Sequence, residues 1–317
     1  MTGPAGKSAP AILVEGLHKG YGARSAVRGL DLAVASGRIC GLIGPDGAGK
    51  TTTMRIICGL LRPDAGFVRV LGRDSAREPR AVRERLGYMP QRFSLYPDLT
   101  VAENLRFFAD LYGVPAAERV RREAELMEFS RLGPFRGRRA GQLSGGMKQK
   151  LALSCTLIHT PEVLVLDEPT TGVDPVSRRE FWRILRELAG RGLALLVSTP
   201  YMDEAGLCDD VVLMHEGRAI ARGTPDEVAA AFPRRLLEVR GAGLPEALAR
   251  LAAAPRPGVK VHRYGDRLHV VHDDAAQAEA VARLLEGLDV GLHPVAPGIE
   301  DAFVELMAAP AGGEATP

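Results

Sequence analysis

The chain has 317 residues, of which 46% are hydrophobic and 25% are charged, and its formal net charge is +2. This composition is that of a globular protein, and the length suggests about two domains with a substantial core. The small net charge excludes strong electrostatic steering toward nucleic acid or anionic lipid. No apolar stretch approaches the roughly 20 residues that a membrane-spanning helix needs.

The first predicted elements lead from a polar N-terminus into a strand-rich segment. Residues 1–10 contain no apolar core of a signal peptide, and we expect them to be disordered. Residues 11–43 are predicted to be mostly strand, with apolar and polar residues alternating over 30–34. The segment ends in the apolar run over residues 39–43, which is typical of a buried strand.

A glycine-rich loop follows that buried strand. Residues 44–52 read GPDGAGKTT and fit G-x-x-x-x-G-K-[ST], the phosphate-binding P-loop pattern. Its glycines let the backbone turn tightly and direct N–H groups at an anion, and a helix predicted over residues 51–61 adds the positive end of its dipole. Lys50 would reach the β- and γ-phosphates of a nucleotide, and the Thr51 hydroxyl would ligate Mg²⁺. The predicted phosphate contacts are Gly44, Asp46, Gly47, Ala48, Gly49, Lys50, Thr51 and Thr52.

The next predicted elements are a short strand over residues 67–71, a helix over 78–85 and a largely helical segment over 95–150. Thr100 with Glu103 three residues later is a capping box that opens one helix. Further helices are predicted over 115–129 and 144–157, and Ser144 followed by two glycines makes a helix start that can bind an anion. The basic residues over 136–150 lack interleaved aromatics, so they do not indicate a nucleic-acid site.

Two apolar runs over residues 163–166 and 193–197, with a predicted helix over 177–189 between them, indicate a β-α-β unit of a parallel sheet. Asp167 and Glu168 come directly after the first run. Acids at the carboxyl end of such a strand lie in the ligand crevice of an open α/β sheet, and a cation would relieve their mutual repulsion. Asp167 is therefore predicted on the Mg²⁺ side, and Glu168 as the group that orients or deprotonates the attacking water.

The remainder of the chain predicts a hairpin over residues 211–221 and a separate small domain. Its elements follow the order β-α-β-β-α-β, which suggests a ferredoxin-like fold. Cys40, Cys58, Cys155 and Cys208 form no C-x-x-C pair, so we expect buried, reduced thiols. His269 and His272 are three apart on a predicted strand and point to opposite faces, which argues against a metal site there.

Several motifs, taken together, resemble those of ABC ATPases. Residues 143–150, LSGGMKQK, resemble the signature motif, with Met147 where glutamine is commoner. Tyr21 resembles the aromatic residue that stacks on adenine, Gln91 resembles the Q-loop glutamine, and residues 171–175, TGVDP, resemble the D-loop. The resemblance covers about residues 11–230 and is nearest to the ATPases of ABC-2-type exporters, which serve drug, lipid or polysaccharide export.

The resemblance implies an α/β fold with two domains. Residues 11–232 would form the P-loop NTPase domain, with a parallel-sheet core, an antiparallel β subdomain and an inserted helical subdomain over about 95–150. Beyond the residues that the resemblance covers, the order of predicted elements assigns residues 233–307 to an α+β, ferredoxin-like accessory domain, whose role we leave open between dimer support and regulation. Residues 308–317 would be a disordered tail.

The resemblance also implies roles for individual residues. Tyr21 would stack on adenine, and Thr51, Gln91 and Asp167 would surround Mg²⁺. Glu168, Lys50 and Gln91 would form the catalytic group. The residues that would contact a nucleotide held by a second subunit are Ser144, Gly145, Gly146 and Asp174.

One position departs from the family pattern. Residues 195–205 read LLVSTPYMDEA, and Pro200 stands where the family usually has a histidine that contacts the γ-phosphate. Proline has neither a side-chain donor nor an N–H. Either hydrolysis is merely slower, or this chain's own ATP site is degenerate and works beside a different, complete ATPase subunit.

These features predict the ATP-binding and hydrolysing subunit of an ABC exporter, with ATP and Mg²⁺ as cofactors. Its partners would be an ABC-2-type membrane permease and a second ATPase subunit, in a homodimer or a heterodimer, and no nucleic acid. The expected location is the cytoplasm, peripheral on the inner face of the membrane through the permease. The alternatives are a soluble ABC ATPase acting on ribosomes or DNA, a regulatory nucleotide-binding module, and an importer subunit.

Overall fold

The computed structural model describes residues 9–92 and 95–308. Residues 1–8, 93, 94 and 309–317 lie outside the description, and so do most of the two predicted disordered ends. The chain divides into two compact units, Met1–Pro225 and Asp226–Pro317. The sequence placed this boundary later, after residue 232.

The first unit holds two sheets and the helices around them. The strands are β1 (Ile12–Tyr21), β2 (Arg24–Val34), β3 (Ile39–Ile43), β4 (Ala65–Val70), β5 (Arg73–Asp74), β6 (Leu86–Met89), β7 (Val163–Asp167), β8 (Ala194–Thr199), β9 (Asp210–His215) and β10 (Arg218–Gly223). The α-helices are α1 (Lys50–Ile57), α2 (Pro79–Arg83), α3 (Val101–Leu111), α4 (Ala116–Phe129), α5 (Gly145–Leu157) and α6 (Pro175–Gly190). Short 3₁₀ helices cover Gly133–Phe135, Ala140–Gln142 and Met202–Leu207.

The larger sheet has the order β10-β9-β3-β8-β7-β6. From β9 to β6 every neighbouring pair is parallel, and β10 closes the edge as the antiparallel arm of the predicted hairpin. β3, β7 and β8 are buried along their whole length, which is why they read as continuous apolar runs. The carboxyl ends of β3, β6, β7 and β8 meet at one edge of the sheet. The predicted parallel-sheet core is confirmed.

The smaller sheet has the order β2-β1-β4-β5, and its paired strands are antiparallel. It is the predicted antiparallel β subdomain. Its apolar face packs with α1 and part of the larger sheet in one core, which includes Ile12, Leu30, Val68 and Ile56. The loop that joins β3 to α1 is therefore held between two sheets.

Helix α1 ends earlier than predicted. The sequence predicts a helix to residue 61, ended by Pro63 and Gly66, but the last helical residue is Ile57. Gly59 has φ of +62°, and a Cβ there would lie 2.8 Å from Ser75 O. The left-handed glycine and this close approach end the helix one turn sooner.

The helical subdomain contains α3, α4 and α5. α3 begins with the predicted capping box, in which Thr100 Oγ1 accepts from the Glu103 N–H while Glu103 accepts from the Thr100 N–H. Asn104 is fully buried, and its amide group binds the backbone at Tyr96, Leu99 and Thr100. This side chain ties the segment before α3 to the helix. The inserted position of these helices between β6 and β7 is as expected for the fold.

The second unit has strands β11 (Arg235–Arg240), β12 (Lys260–Tyr264), β13 (Arg267–His272) and β14 (Gly291–Val295). Its helices are α8 (Leu244–Ala253), α9 (Ala275–Leu284) and α10 (Ile299–Ala308), while α7 (Pro225–Ala230) leads into it. The antiparallel sheet has the order β12-β13-β11-β14, and α8 and α9 bury the face that carries Leu237 and Val270. This is the predicted ferredoxin-like arrangement. The sequence predicts that α9 extends to residue 288, but the helix ends at Leu284. It ends earlier because Gly287, which follows, has a left-handed backbone conformation.

No helix within residues 9–92 and 95–308 is long and apolar enough to cross a membrane. The four cysteines are free and buried, as predicted. His269 Nδ1 lies 2.7 Å from Asp301 Oδ1, and His272 Nδ1 donates to the Asp274 carbonyl at 2.9 Å. In the described part of the chain no cluster of His, Cys, Asp and Glu could hold a metal ion on its own.

Candidate nucleotide-binding site

The loop between β3 and α1 has a backbone that requires glycine. Gly47 and Gly49 have φ of +80° and +103°. A Cβ on Gly49 would lie 2.3 Å from Ala26 O, and one on Gly44 would lie 2.2 Å from Met214 O. The loop is thus fixed by two close backbone approaches, and it delivers the chain to the N-terminus of α1 at Lys50. Such a helix start presents unpaired N–H groups and a positive dipole end to an anion.

Lys50 is the cation of this loop. Its side chain is 4% exposed, and Nζ donates to Gly44 O at 2.8 Å and to Pro45 O at 3.1 Å. Nζ also lies 3.2 Å from Glu168 Oε1, which is itself buried. These three oxygens hold the ammonium group at the mouth of the loop. Thr51 and Thr52 follow at the first turn of α1 and are half-buried, while Asp46 is exposed and Ala48 is buried.

Asp167 ends β7 and faces the start of α1. Its Oδ1 accepts from Ser198 Oγ at 2.7 Å and from Thr51 Oγ1 at 3.2 Å. Its Oδ2 is buried, and among the described residues it has no hydrogen-bond partner. A buried carboxylate oxygen without a partner is costly. Burial is the main cause that raises the pKa of the Tyr88 hydroxyl to about 12, and the nearby charge of Asp167 is the second cause.

Glu168 is held in a strained backbone conformation. Its φ is +50°, which costs a non-glycine residue about 1–2 kcal/mol. Its N–H donates to Ser198 Oγ at 2.9 Å, and the Lys50 ammonium pairs with Oε1. Oε2 accepts from Gln91 Nε2 at 2.9 Å and from Thr171 Oγ1 at 3.4 Å. The turn thereby aims the carboxylate at the P-loop.

The predicted group of Lys50, Thr51, Gln91, Asp167 and Glu168 therefore lies together at one sheet edge. Within it, Gln91 hydrogen-bonds Glu168, while Thr51 bonds Asp167. Asp167 Oδ2 and the Thr51 hydroxyl supply the oxygen donors that a hard divalent cation prefers, so these residues fit Mg²⁺. The place of Gln91 around that ion stays a prediction.

The signature and D-loop residues form a second surface. Ser144 Oγ caps α5 by accepting from the Met147 N–H at 3.3 Å. Asp174 caps α6 by accepting from the Val176 and Ser177 N–H groups at 3.1 and 2.9 Å, and the Ser177 side-chain hydrogen bond is the first cause that lowers the pKa of Asp174. A Cβ on Gly146 would lie 2.5 Å from Ser177 Oγ, so the two helix starts need a glycine to pack.

Ser144, Gly145 and Asp174 are exposed. Across the described ranges, no hydrogen bond or ion pair joins Ser144 or Asp174 to Lys50, Asp167 or Glu168. Tyr21 is half-exposed at the end of β1, and Lys19 Nζ lies 6.0 Å from its ring centre. A planar group can therefore reach its ring.

The loop after β8 carries Pro200 and is firmly anchored. The Tyr201 N–H donates to Thr199 Oγ1 at 3.1 Å, and the Arg178 guanidinium lies 4.3 Å from the Tyr201 ring centre. Buried Glu204 accepts from Thr170 Oγ1 at 2.8 Å and lies 3.6 Å from Arg178. This network joins the loop to the segment between Glu168 and α6.

The sequence analysis assigned no contact in the site to Ser198, Thr171, Arg178 or Glu204, although all but Arg178 lie in stretches that it compared with the family pattern. Ser198 pairs in register with Asp167 across β7 and β8. A hydroxyl residue at the carboxyl end of an apolar run was a usable signal for Ser198. The contacts of Arg178 depend on how α6 and the loop pack, which no local pattern records.

Comparison with known proteins agrees with this geometry. Residues 27–171 match the family described as ABC transporter. The chain is 43% identical over 312 residues to the probable multidrug ABC transporter ATP-binding protein YbhF of Escherichia coli, a match that covers 93% of this chain and 52% of that protein. The chain thus spans about half the length of this relative.

A second relative matches over most of both chains. The Nod factor export ATP-binding protein I of Ralstonia nicotianae is 42% identical over 312 residues, which cover 96% of each chain. Among solved structures, an ATP-binding subunit of an ABC transporter has a TM-score of 0.63 and 34% identity, covering 70% of this chain and 93% of that one.

Proposed function

Because the chain belongs to the family of ABC transporter ATP-binding proteins, we propose that it is the ATP-hydrolysing subunit of an exporter. One observation carries this proposal. A glycine-dependent P-loop, a buried carboxylate with a free oxygen and a second carboxylate paired to the P-loop lysine meet at one sheet edge. That arrangement is suited to phosphoryl transfer to water.

In this proposal the P-loop binds the phosphates of ATP, and Tyr21 stacks on adenine. The Lys50 ammonium, now held by Gly44 O, Pro45 O and Glu168, turns to the β- and γ-phosphates. Thr51 and Asp167 are the residues that would hold Mg²⁺, and the ion would supply positive charge to neutralise the phosphates. Glu168, released from Lys50, accepts a proton from the attacking water, and Gln91 keeps the carboxylate oriented.

The surface formed by the signature and D-loop residues supports dimerisation. Ser144 and Gly145 are exposed at the N-terminus of a helix from Gly145 to Leu157, which is suited to bind an anion, but they do not contact their own P-loop residues. We infer that they complete the ATP site of a second ATPase subunit placed head to tail. ATP binding then favours the closed pair, and hydrolysis removes this preference.

Gln91, which hydrogen-bonds Glu168, also lines a cleft of about 400 Å³ in the first unit. Arg92, Leu95 and Pro97 line one side, and the start of α5 with Lys148 lines another. We infer that a membrane permease of the ABC-2 type docks over this cleft and places the chain at the inner face of the membrane. The two named relatives are described as a probable multidrug ABC transporter ATP-binding protein and a Nod factor export ATP-binding protein, and we propose an exported compound that the permease, not this chain, recognises.

Pro200 is the feature on which the rate of hydrolysis depends. The anchored loop offers no side-chain donor at this position. A lost phosphate contact lowers turnover by a factor of about 10²–10³. We therefore propose that this chain hydrolyses ATP slowly by itself, while its Ser144 completes the ATP site of a second subunit, either another copy of this chain or a different ATPase.

ATP-dependent dimerisation tests the proposal. Glu168→Gln should bind ATP without consuming it and shift from monomer to dimer in light scattering when ATP and Mg²⁺ are added. Ser144→Arg in the same background should stay monomeric, whereas Ser130→Ala, a buried serine elsewhere in the subdomain, should dimerise normally. A Glu168→Gln protein that stays monomeric with ATP and Mg²⁺, both alone and when mixed with the second ATPase subunit, contradicts the proposal.

A further inference from the structure

The hydroxyl of Ser198 lies between the two carboxylate-bearing residues of the site. Its Oγ donates to Asp167 Oδ1 at 2.7 Å and accepts from the Glu168 N–H at 2.9 Å. Ser198 is fully buried in β8, in register with Asp167. Because a hydroxyl has a single proton, these two bonds fix its direction: the proton goes to Asp167, and the lone pair takes the Glu168 N–H.

The first bond determines which carboxylate oxygen of Asp167 is available. Ser198 Oγ and Thr51 Oγ1 both donate to Oδ1, whereas Oδ2 is buried without a partner in the described ranges. The carboxylate is therefore held by one oxygen and free at the other. A Thr51 hydroxyl that donates its proton to Asp167 still keeps oxygen lone pairs for a cation.

The second bond supports the unusual backbone of Glu168. At φ of +50° the residue is in a region that a side chain disfavours. Its N–H reaches both Ser198 Oγ and Ser198 O, at 2.9 and 3.2 Å. This turn sends Oε1 to Lys50 and Oε2 to Gln91. The Ser198 hydroxyl thus orients both the carboxylate of Asp167 and the backbone of Glu168.

We propose that Ser198 is a positioning residue for the nucleotide-bound cation. It holds Asp167 so that Oδ2 serves Mg²⁺ and couples this orientation to Glu168 through a single hydroxyl. The proposal rests on the proposed function, since it assigns the cation to ATP hydrolysis. It assigns a role to a residue that the sequence analysis left without one, although Ser198 lies in the stretch that carries Pro200.

The test is the tightening of ATP binding by Mg²⁺, measured by calorimetry as the ratio of the Kd in EDTA to the Kd in Mg²⁺. Ser198→Ala removes only the hydroxyl oxygen. We expect its Kd in EDTA to stay within about twofold of wild type, because the P-loop is untouched. We expect the Mg²⁺ tightening to fall by about tenfold, the size of a lost hydrogen bond to a charged group.

Ser154→Ala is the matched control. Ser154 is equally buried and donates to Lys150 O at 2.9 Å within α5, so its loss can lower stability but should leave the Mg²⁺ ratio unchanged. Ser198→Thr keeps the hydroxyl and should restore most of the ratio.

One result would overturn the role of Ser198: an unchanged Mg²⁺ ratio in Ser198→Ala. Such a ratio follows if both affinities stay at the wild-type value, or if both fall equally, which would make the hydroxyl purely structural. Wild-type protein that does not bind ATP at all would instead contradict the proposed function. The two failures are therefore distinguishable in one titration series.

Discussion

The side-chain amide of Gln91 donates a 2.9 Å hydrogen bond to Glu168 Oε2. β6 and β7, the strands just before these residues, are parallel neighbours in the larger sheet. Gln91 also lines the cleft that we assign to the permease. One side chain therefore touches both the proposed catalytic base and the proposed docking surface, so a displacement in the cleft can change the orientation of Glu168.

Gln91→Ala should remove the link between Glu168 and the proposed docking cleft. We expect ATP affinity to stay near wild type because Lys50 and the P-loop are intact, while hydrolysis falls by about tenfold as Glu168 loses a charged hydrogen bond. Gln142→Ala, an exposed glutamine in the same unit, is the control and should behave as wild type. Steady-state hydrolysis with and without permease measures the effect, and a normal rate would remove Gln91 from the catalytic group.

Pro200→His should increase turnover if the missing donor limits hydrolysis. We expect at least about a tenfold higher kcat, since a restored phosphate contact stabilises the transition state. Pro200→Ala removes the ring without adding a donor and should remain slow. Fast and equal hydrolysis by wild type and Pro200→His would contradict the degenerate site and favour a chain that turns over by itself.

Gly49→Ala should prevent the P-loop from adopting its observed backbone conformation. The added Cβ would lie 2.3 Å from Ala26 O at a φ of +103°, and we expect a loss of about 2 kcal/mol or more in unfolding free energy. Gly133→Ala is the matched control, because it has open space around the new methyl group. Chemical denaturation of both variants measures the difference, and equal stability would show that the loop tolerates a side chain.

Thr100→Ala should destabilise the helical subdomain by about 1 kcal/mol, the usual cost of a lost N-cap. Both halves of the capping box depend on Thr100, through its hydroxyl and its N–H. Thr100→Ser keeps the hydroxyl and should recover most of the loss. Hydrogen exchange at the start of α3 reports this locally, and unchanged protection in Thr100→Ala would indicate that packing alone holds the helix.

The four cysteines should react with thiol reagents only when the protein opens. Burial is the main cause that raises the pKa of Cys40 to about 12 and the pKa of Cys155 well above its ordinary value. Thiolates are thus scarce at pH 8, and access is blocked. A colorimetric thiol assay should show slow labelling in the folded protein and rapid labelling of all four in denaturant. Fast labelling of the folded protein would contradict the burial.

Much of this fold could be predicted because its signals are local. β3, β7 and β8 are buried on both faces and therefore read as unbroken apolar runs, and the P-loop and the Thr100 box have fixed spacings. The end of α1 could not be predicted, because it depends on the approach of Gly59 to Ser75.

The site shows the same division. Lys50, Asp167 and Glu168 follow from motif and strand end, but the role of Ser198 depends on β8 lying beside β7 in register. Arg178 meets Tyr201 only after α6 and the following loop have packed. Such contacts join residues that are distant in sequence, so local sequence patterns cannot predict them.

The central claim is that the loop around Lys50 binds the phosphates of ATP. Isothermal titration of ATP in Mg²⁺ into wild type and Lys50→Ala tests it, with Arg77→Ala as an exposed-cation control, since Arg77 is 87% exposed. We predict that Lys50→Ala loses at least about tenfold in affinity, because Lys50 supplies the charge for the β- and γ-phosphates, while Arg77→Ala binds as wild type does. Equal ATP affinity in Lys50→Ala and wild type would contradict the account.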